Sequence, residues 1–263
     1  MGDWNHDVRS IVLTSSGSND VFESNSRSKF INKFAKNIDC ESGNFEIALS
    51  KIKFNNSIYN LPKHHTHSIQ FIRVDSGVEA QYEDAVVLSE GYYNSISVII
   101  KKLDSTKKSG FTIDIDKQSG KVIILSEESI KVKITPHLGV ILGLYSNINS
   151  PQRELHIDGG VKFTGDFIAN TNQIPQLYIY TDLIQNVHTC GGYETNLLGS
   201  CPIKGRFNEA ETYEPKHLIF LPVKRQQFIY GSIYITDSYG NPVSFQSGDI
   251  EVYTYMRRIN PFR

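Results

Sequence analysis

The sequence predicts an all-β fold, an antiparallel sandwich or barrel, and three observations carry that prediction. The chain of 263 residues holds 31 Ile against 6 Ala, and 11% of its residues are aromatic. Branched and aromatic side chains fit the pleated, half-buried surface of a sheet, whereas Ala is the best helix former. Apolar residues recur at every second position over most of the chain, the repeat of a strand with one buried face. Turn residues interrupt that alternation about every 8–15 positions, the rhythm of hairpin-connected strands.

The elements follow in order. Residues 1–28 are rich in Ser, Asn and Asp and read as a flexible N-terminal arm, leaving residues 29–263 as one domain. Phe45, Ile47 and Leu49 share a strand face, but Ile52 and Phe54 have the opposite parity. A bulge near Ser50-Lys51 reconciles the two by re-aiming the strand. Tyr92, Ile96, Ile99, Ile100 and Leu103 follow helical spacing instead and form one apolar stripe. Ile113 and Ile115 alternate with Thr112, Asp114 and Asp116; Lys117-Gln118-Ser119-Gly120 then turns the chain into a strand from Lys121 to Leu125. That is a hairpin. Ile130, Val132 and Ile134 alternate with Lys131 and Lys133, and Pro136 suits the first turn of a short apolar helix to Leu144. The stretch 146–172 is weakly patterned and reads as a long loop or small insertion.

The last third alternates most clearly. Leu177, Ile179 and Leu183 share one face, with Tyr178 and Tyr180 on the other. Ile233 and Ile235 lead through the turn Asp237-Ser238-Tyr239-Gly240-Asn241-Pro242 to Val243 and Phe245. Ile250, Val252, Thr254 and Met256 face one way, and Glu251, Tyr253, Tyr255 and Arg257 the other.

Charge and composition narrow the function. With 27 basic and 28 acidic side chains the net charge is −1, which gives no electrostatic drive toward nucleic acid or an acidic membrane. No apolar run reaches the roughly 20 residues of a membrane span. Met1–Ser10 lacks the hydrophobic stretch of a secretory signal. Cys40, Cys190 and Cys201 are too few and too scattered for a disulfide framework and read as reduced thiols of a protein made inside a cell. A chain this long buries roughly 70–75% of its unfolded surface, so the fold needs no metal or disulfide to hold it.

Candidate chemistry is sparse. His64-His65-Thr66-His67 could ligate a transition metal, since imidazoles two or three apart can converge in a loop. No Cys, Asp or Glu at ligand spacing completes a four-coordinate set, and a polar loop after Asn60-Leu61-Pro62 explains the cluster as well. His188, Cys190 and Cys201 match no zinc spacing and lack an orienting third group for a thiol nucleophile. Gly139–Gly143 and Gly159-Gly160 form no phosphate cradle, and no nucleophile elbow is present. Asp114 and Asp116 lie on one strand face beside a turn and read as a solvated face rather than a catalytic pair. The scattered lysines read as a solvated surface. The expectation is a non-enzyme with no catalytic residue, no cofactor and no metal.

A resemblance adds to this reading. Phe30-Ile31-Asn32-Lys33-Phe34, Ile38-Asp39, Gly43 to Ile52 and Tyr59-Asn60-Leu61 together resemble the opening of the minor capsid (penton) proteins of Polinton/Maverick elements, adintoviruses and virophages. In the middle, Gly91-Tyr92-Tyr93 before a helix, the Phe111–Leu125 hairpin and Leu142-Gly143-Leu144 fit the same family. Leu177 to Ile184, Leu197-Leu198, Pro202-Ile203, Tyr213-Glu214-Pro215, Ile233 to Phe245 and Gly248 to Arg258 resemble its C-terminal motifs in order. Phe45 stands where the family has Trp, and Thr181 where it has Cys. The likeness spans roughly residues 28–258.

That resemblance implies a single jelly roll of two four-stranded antiparallel sheets with short helical insertions, in a structural virion protein made inside the infected host cell. It implies a homopentamer at the capsid vertex, beside double jelly-roll major capsid proteins. Five copies in a ring meet through two different patches. Tyr178, Tyr180, Tyr253 and Tyr255 are the candidate subunit-contact residues, because Tyr suits interfaces with wet edges. A host-surface or glycan-binding β-sandwich module is the alternative reading, and a host receptor or glycan is compatible with either.

Overall fold

A computed structural model describes residues 8–40, 45–63, 65–75, 78–105, 110–146, 154–171, 174–186, 188–190, 193–224 and 227–259. Among these, the elements run in chain order. The first strands are β1 (Val8–Thr14), β2 (Lys29–Asp39), β3 (Phe45–Asn55), β4 (Ser68–Asp75) and β5 (Val78–Val87). Helix α1 (Ile96–Ser105) precedes β6 (Phe111–Ile115), β7 (Val122–Ser126) and β8 (Ile130–Ile134), and α2 (Pro136–Ile141) precedes β9 (Glu154–Ile157) and β10 (Lys162–Thr164). Then come β11 (Gln176–Thr181), β12 (His188–Cys190), β13 (Tyr193–Thr195) and β14 (Leu197–Pro202). The chain ends with β15 (Ala210–Tyr213), β16 (Leu221–Pro222), β17 (Gln227–Thr236) and β18 (Glu251–Arg258).

The elements divide into two compact units, residues 1–58 with 174–263, and residues 59–173. In the first, one antiparallel sheet has the order β1-β18-β3-β15, with β16 also on β3, and the other has β14-β11-β17-β2. The sequence partners pair from the outside inward: β1 with β18, β2 with β17, β3 with β15, and β11 with β14. A long antiparallel ribbon wrapped on itself gives this order, and it is the jelly roll. The expected two four-stranded sheets are therefore present, with β16 as a short addition.

Alternation places the core. Leu13, Phe30, Ile47, Ile52, Leu177, Ile179, Ile233, Ile235 and Val252 point between the two sheets and are fully buried. Each such side chain contributes about 1.5–3 kcal/mol of burial. The bulge lies where parity demands it. Tyr253 stands opposite Lys51 and Thr254 opposite Leu49, which leaves Ser50 as the extra residue. The strand after it turns Ile52 and Phe54 inward, as Phe45, Ile47 and Leu49 were before it.

The expected arm at 1–28 is corrected from residue 8 onward. Residues 8–14 form β1, paired along its length with β18, and Ile11 and Leu13 lie in the core. The polar residues after it are structural as well. Asn25 exchanges hydrogen bonds with both the N–H and the carbonyl of Ile31, and Asn32 does so with Thr14. Asn side chains imitate a backbone partner in this way, so a Ser- and Asn-rich stretch reads as flexible while being tied down.

The second unit has its own core. One sheet has the order β5-β4-β8-β9 and the other β10-β7-β6. The β6–β7 hairpin and the β8 alternation are as expected, with Lys131 and Lys133 on the outer face beside Glu154. Helix α1 buries Ile96, Ile99, Ile100 and Leu103. Tyr92 lies ahead of the helix and is exposed, while its neighbour Tyr93 is buried, its backbone held by the Asn60 side chain. The stretch 146–172, expected as a loop or insertion, supplies β9 to one sheet and β10 to the other. The inserted unit is thus residues 59–173 rather than that stretch alone. Both units use the same two-residue repeat and no Pro- or Gly-rich linker separates them, so alternation alone reads them as one domain.

Candidate functional site

The outward faces of the jelly roll carry the four candidate tyrosines, and they fall on opposite sheets. Tyr253 and Tyr255 stand on β18 beside β1 and β3. The Tyr253 hydroxyl donates to Glu251 Oε2 at 2.5 Å and accepts from Lys53 Nζ at 3.1 Å. Its ring lies under both Lys51 and Lys53, at 5.7 and 5.0 Å. The bond donated to Glu251 is the main cause holding its carboxyl below the ordinary range, and the bond accepted from Lys53 the main cause holding that ammonium above its own. Lys51 also pairs with Glu214 at 2.8 Å, and Arg257 pairs with Glu46 while stacking on Phe220. Tyr253 is therefore committed within its own chain. Tyr255 is not so placed: it is 42% exposed, and Val12, diagonal to it on β1, is 44% exposed.

On the other sheet, Tyr178 and Tyr180 are half-buried on β11. Tyr180 pairs across the sheet with Tyr234, with ring centres 6.4 Å apart and tilted by 43°. The two rings border a pocket of about 320 Å³, completed by Thr181, Asp182, Thr195, Asn196, Ser232, Thr236 and Gly240. Asp182 Oδ1 accepts from the Ser232 backbone N–H at 2.7 Å, and Asn196 Nδ2 donates to the Thr181 carbonyl at 2.5 Å. Thr195 Oγ1 is buried without a hydrogen-bond partner among the described residues. The sequence reading missed this group. Tyr234 has the same outward parity as Tyr180 and is legible, whereas Asp182 and Asn196 lie outside the strands and Thr195 ends the three-residue β13, too short for alternation to orient it.

The remaining candidates are placed as follows. His64 lies outside the described residues. His65 stacks on His137 of α2 at 4.7 Å and 21°, and His67 lies 4.9 Å from the same ring. Stacked rings carry their lone pairs side by side rather than toward one point, and His67 Nε2 faces the Pro62 carbonyl at 2.9 Å. Among the described residues no group of three or more His, Cys, Asp or Glu is disposed to hold a metal. Asp116 anchors the β6–β7 turn by accepting from Gln118 N–H and Ser119 O–H, which lowers its pKa. Asp114 accepts from the neighbouring Ile115 N–H.

Two thiols, those of Cys40 and Cys201, are enclosed. His188 and Cys190 lie on the β12–β13 hairpin, whereas Cys201 is in the sandwich core, where burial pushes its thiol up to about 12. Burial likewise raises Cys40, whose sulfur lies 3.9 Å from Met256 Sδ. The thiolate is the reactive species, so iodoacetamide at pH 8 leaves Cys40 and Cys201 unmodified in the folded protein and labels both in urea. Peptide mass analysis checks this; rapid labelling of Cys201 in the native state contradicts the placement.

The solved structures similar to the chain include two viral proteins. One is the crystal structure of the selenomethionine-labelled mavirus penton protein, at 12% identity and a TM-score of 0.46, covering 96% of this chain and 100% of that one. The other is the 3.5 Å cryo-electron microscopy structure of the Sputnik virophage, at 9% identity and a TM-score of 0.45, covering 96% and 98%. No family model and no curated protein matches the chain.

Proposed function

We propose that the chain is a structural capsid protein of the penton type, standing at the vertex of an icosahedral virion as a homopentamer beside double jelly-roll major capsid proteins. The observation that carries this reading is the strand order of the sandwich, on which the family-like motifs fall in register. Phe30–Phe34 lies on β2, Phe45–Ile52 on β3, Leu177–Thr181 on β11, Ile233–Thr236 on β17 and Glu251–Arg258 on β18. These motifs are thus the framework of the jelly roll, while those between Tyr59 and Leu144 lie in the second unit.

The two outer faces suit different roles. In a closed ring each copy meets the next through unlike patches, and an obligate contact buries about 2,000 Å² or more in total. The β1–β18 face has the exposed apolar pair Val12 and Tyr255, flanked by charges already paired within the chain. We assign the subunit contact to this face. On the other sheet Tyr180 borders a concave pocket with Tyr234 instead, which is poorly suited to a flat protein contact. A Tyr255→Asp substitution puts a charge in the middle of the contact, where charged residues are depleted. Sedimentation shows monomers for the variant and rings for the parent, while the variant keeps the parent's far-UV circular dichroism and a cooperative urea transition, because the site is on the surface of the folded chain. Rings that persist in Tyr255→Asp remove this face from the contact.

A further inference from the structure

We propose that the pocket between β11, β17 and the Thr195-Asn196 corner binds a neutral saccharide. This does not rest on the capsid reading. The volume of about 320 Å³ lies within the range of small-molecule sites, about 300–1,000 Å³, and suits a mono- or disaccharide. Its walls combine what such a ligand needs. A sugar ring has one face of C–H groups and a rim of hydroxyls. The Tyr180 and Tyr234 rings, tilted at 43°, offer apolar faces to the former, and the Tyr234 hydroxyl serves the latter.

The polar groups are partly spent and partly available, and the remainder matches a hydroxyl rim. The Ser232 N–H occupies Asp182 Oδ1 and so fixes the carboxylate, which keeps Oδ2 as an acceptor. The Thr181 carbonyl occupies Asn196 Nδ2 and leaves Oδ1. Thr236 Oγ1 is used by the Asp237 carbonyl. Thr195 Oγ1 is buried with no partner among the described residues, and an unmade buried hydrogen bond is costly. Thr195 also lines the pocket, and a turn about its χ1 that brings Oγ1 to the pocket wall lets a ligand hydroxyl supply that partner. Two fixed acceptors beside a hydroxyl select donors, and the Asp182 charge repels anions. The specificity is therefore for neutral hexoses and N-acetylhexosamines against sialylated or sulfated sugars.

The test is binding of the purified protein to an array of neutral, sialylated and sulfated oligosaccharides, with the strongest neutral member then titrated by calorimetry. At least one neutral member binds and the anionic ones do not. Tyr234→Ala and Asp182→Asn each weaken binding at least tenfold. Thr195→Val weakens it by a similar factor without lowering the melting temperature, since it removes a hydroxyl that has no partner among the described residues of the unliganded protein; a merely structural threonine would show the reverse. An array with no neutral binder overturns the proposal, as do variants that bind unchanged. Loss of oligomers in Tyr234→Ala also overturns it and gives this face to the subunit contact. Oligomeric state is read separately on the parent protein, so a failed array leaves the capsid reading standing.

Discussion

Leu13→Ala lowers the unfolding free energy by about 2–5 kcal/mol, the cost of emptying a fully buried leucine site that cannot collapse. That is a large share of the 5–15 kcal/mol typical of a domain. Leu13 has no exposed surface, and one of its methyls lies 3.1 Å from where a Cβ on Gly231 would stand, a spot shared with Phe34 and Leu183. The neighbours are already in contact, so little relaxation is available to fill the void. Removing residues 1–14 has the larger effect. It strips β18 of its β1 partner over seven paired residues, leaving an unpaired edge on the core sheet and uncovering buried apolar surface. We expect insoluble protein or a chain without a cooperative urea transition. If residues 8–14 were a loose arm, both changes would be silent in the same experiment.

Gly143→Ala is the second large effect. Gly143 follows α2 with φ of +69°, and the chain closes the helix there in a Schellman arrangement. Gly143 N–H donates to the Val140 carbonyl at 3.0 Å and Leu144 N–H to the Gly139 carbonyl at 2.8 Å. A Cβ at this position would stand 2.3 Å from the Phe167 carbonyl oxygen. That oxygen belongs to backbone, and its residue donates its own N–H to the Gly143 carbonyl at 2.9 Å, so neither strand of chain can yield alone. The left-handed conformation costs an alanine about 1–2 kcal/mol, and the clash adds about 1–3 kcal/mol of overpacking. Gly160→Ala separates the two contributions. Its φ is +75° but no described residue lies within 4 Å of the added methyl, so it loses only the conformational part. Urea midpoints of the two variants should therefore differ clearly; equal losses contradict the close approach of Phe167.

How much of this was legible depends on the range over which the sequence speaks. Alternation exposes any strand with one buried face, and it fixed even the bulge, because Leu49 and Ile52 cannot share a face without an extra residue at Ser50. Pairing is another matter. Val8 meets Arg257 across almost the whole chain, and no local pattern names that partner; the jelly-roll order came from motif resemblance instead. β1 was hidden by composition, since the Asn and Ser residues behind it resemble an arm until Asn25 and Asn32 are seen bonding to backbone. The two tyrosine pairs were correctly read as outward, but nothing in their spacing told that they occupy opposite faces, or that Asp182 and Thr195 gather beside one of them. His137 joins His65 and His67 through the start of α2, a meeting that linear distance conceals.

The claim on which the functional account rests is that this jelly roll closes into a ring of five. Native mass spectrometry of the purified full chain, at micromolar concentration and moderate salt, measures it directly. A dominant species of five 29.8 kDa chains is expected, alone or once the major capsid protein is added. A strictly monomeric protein under both conditions, with no incorporation into shells, contradicts it.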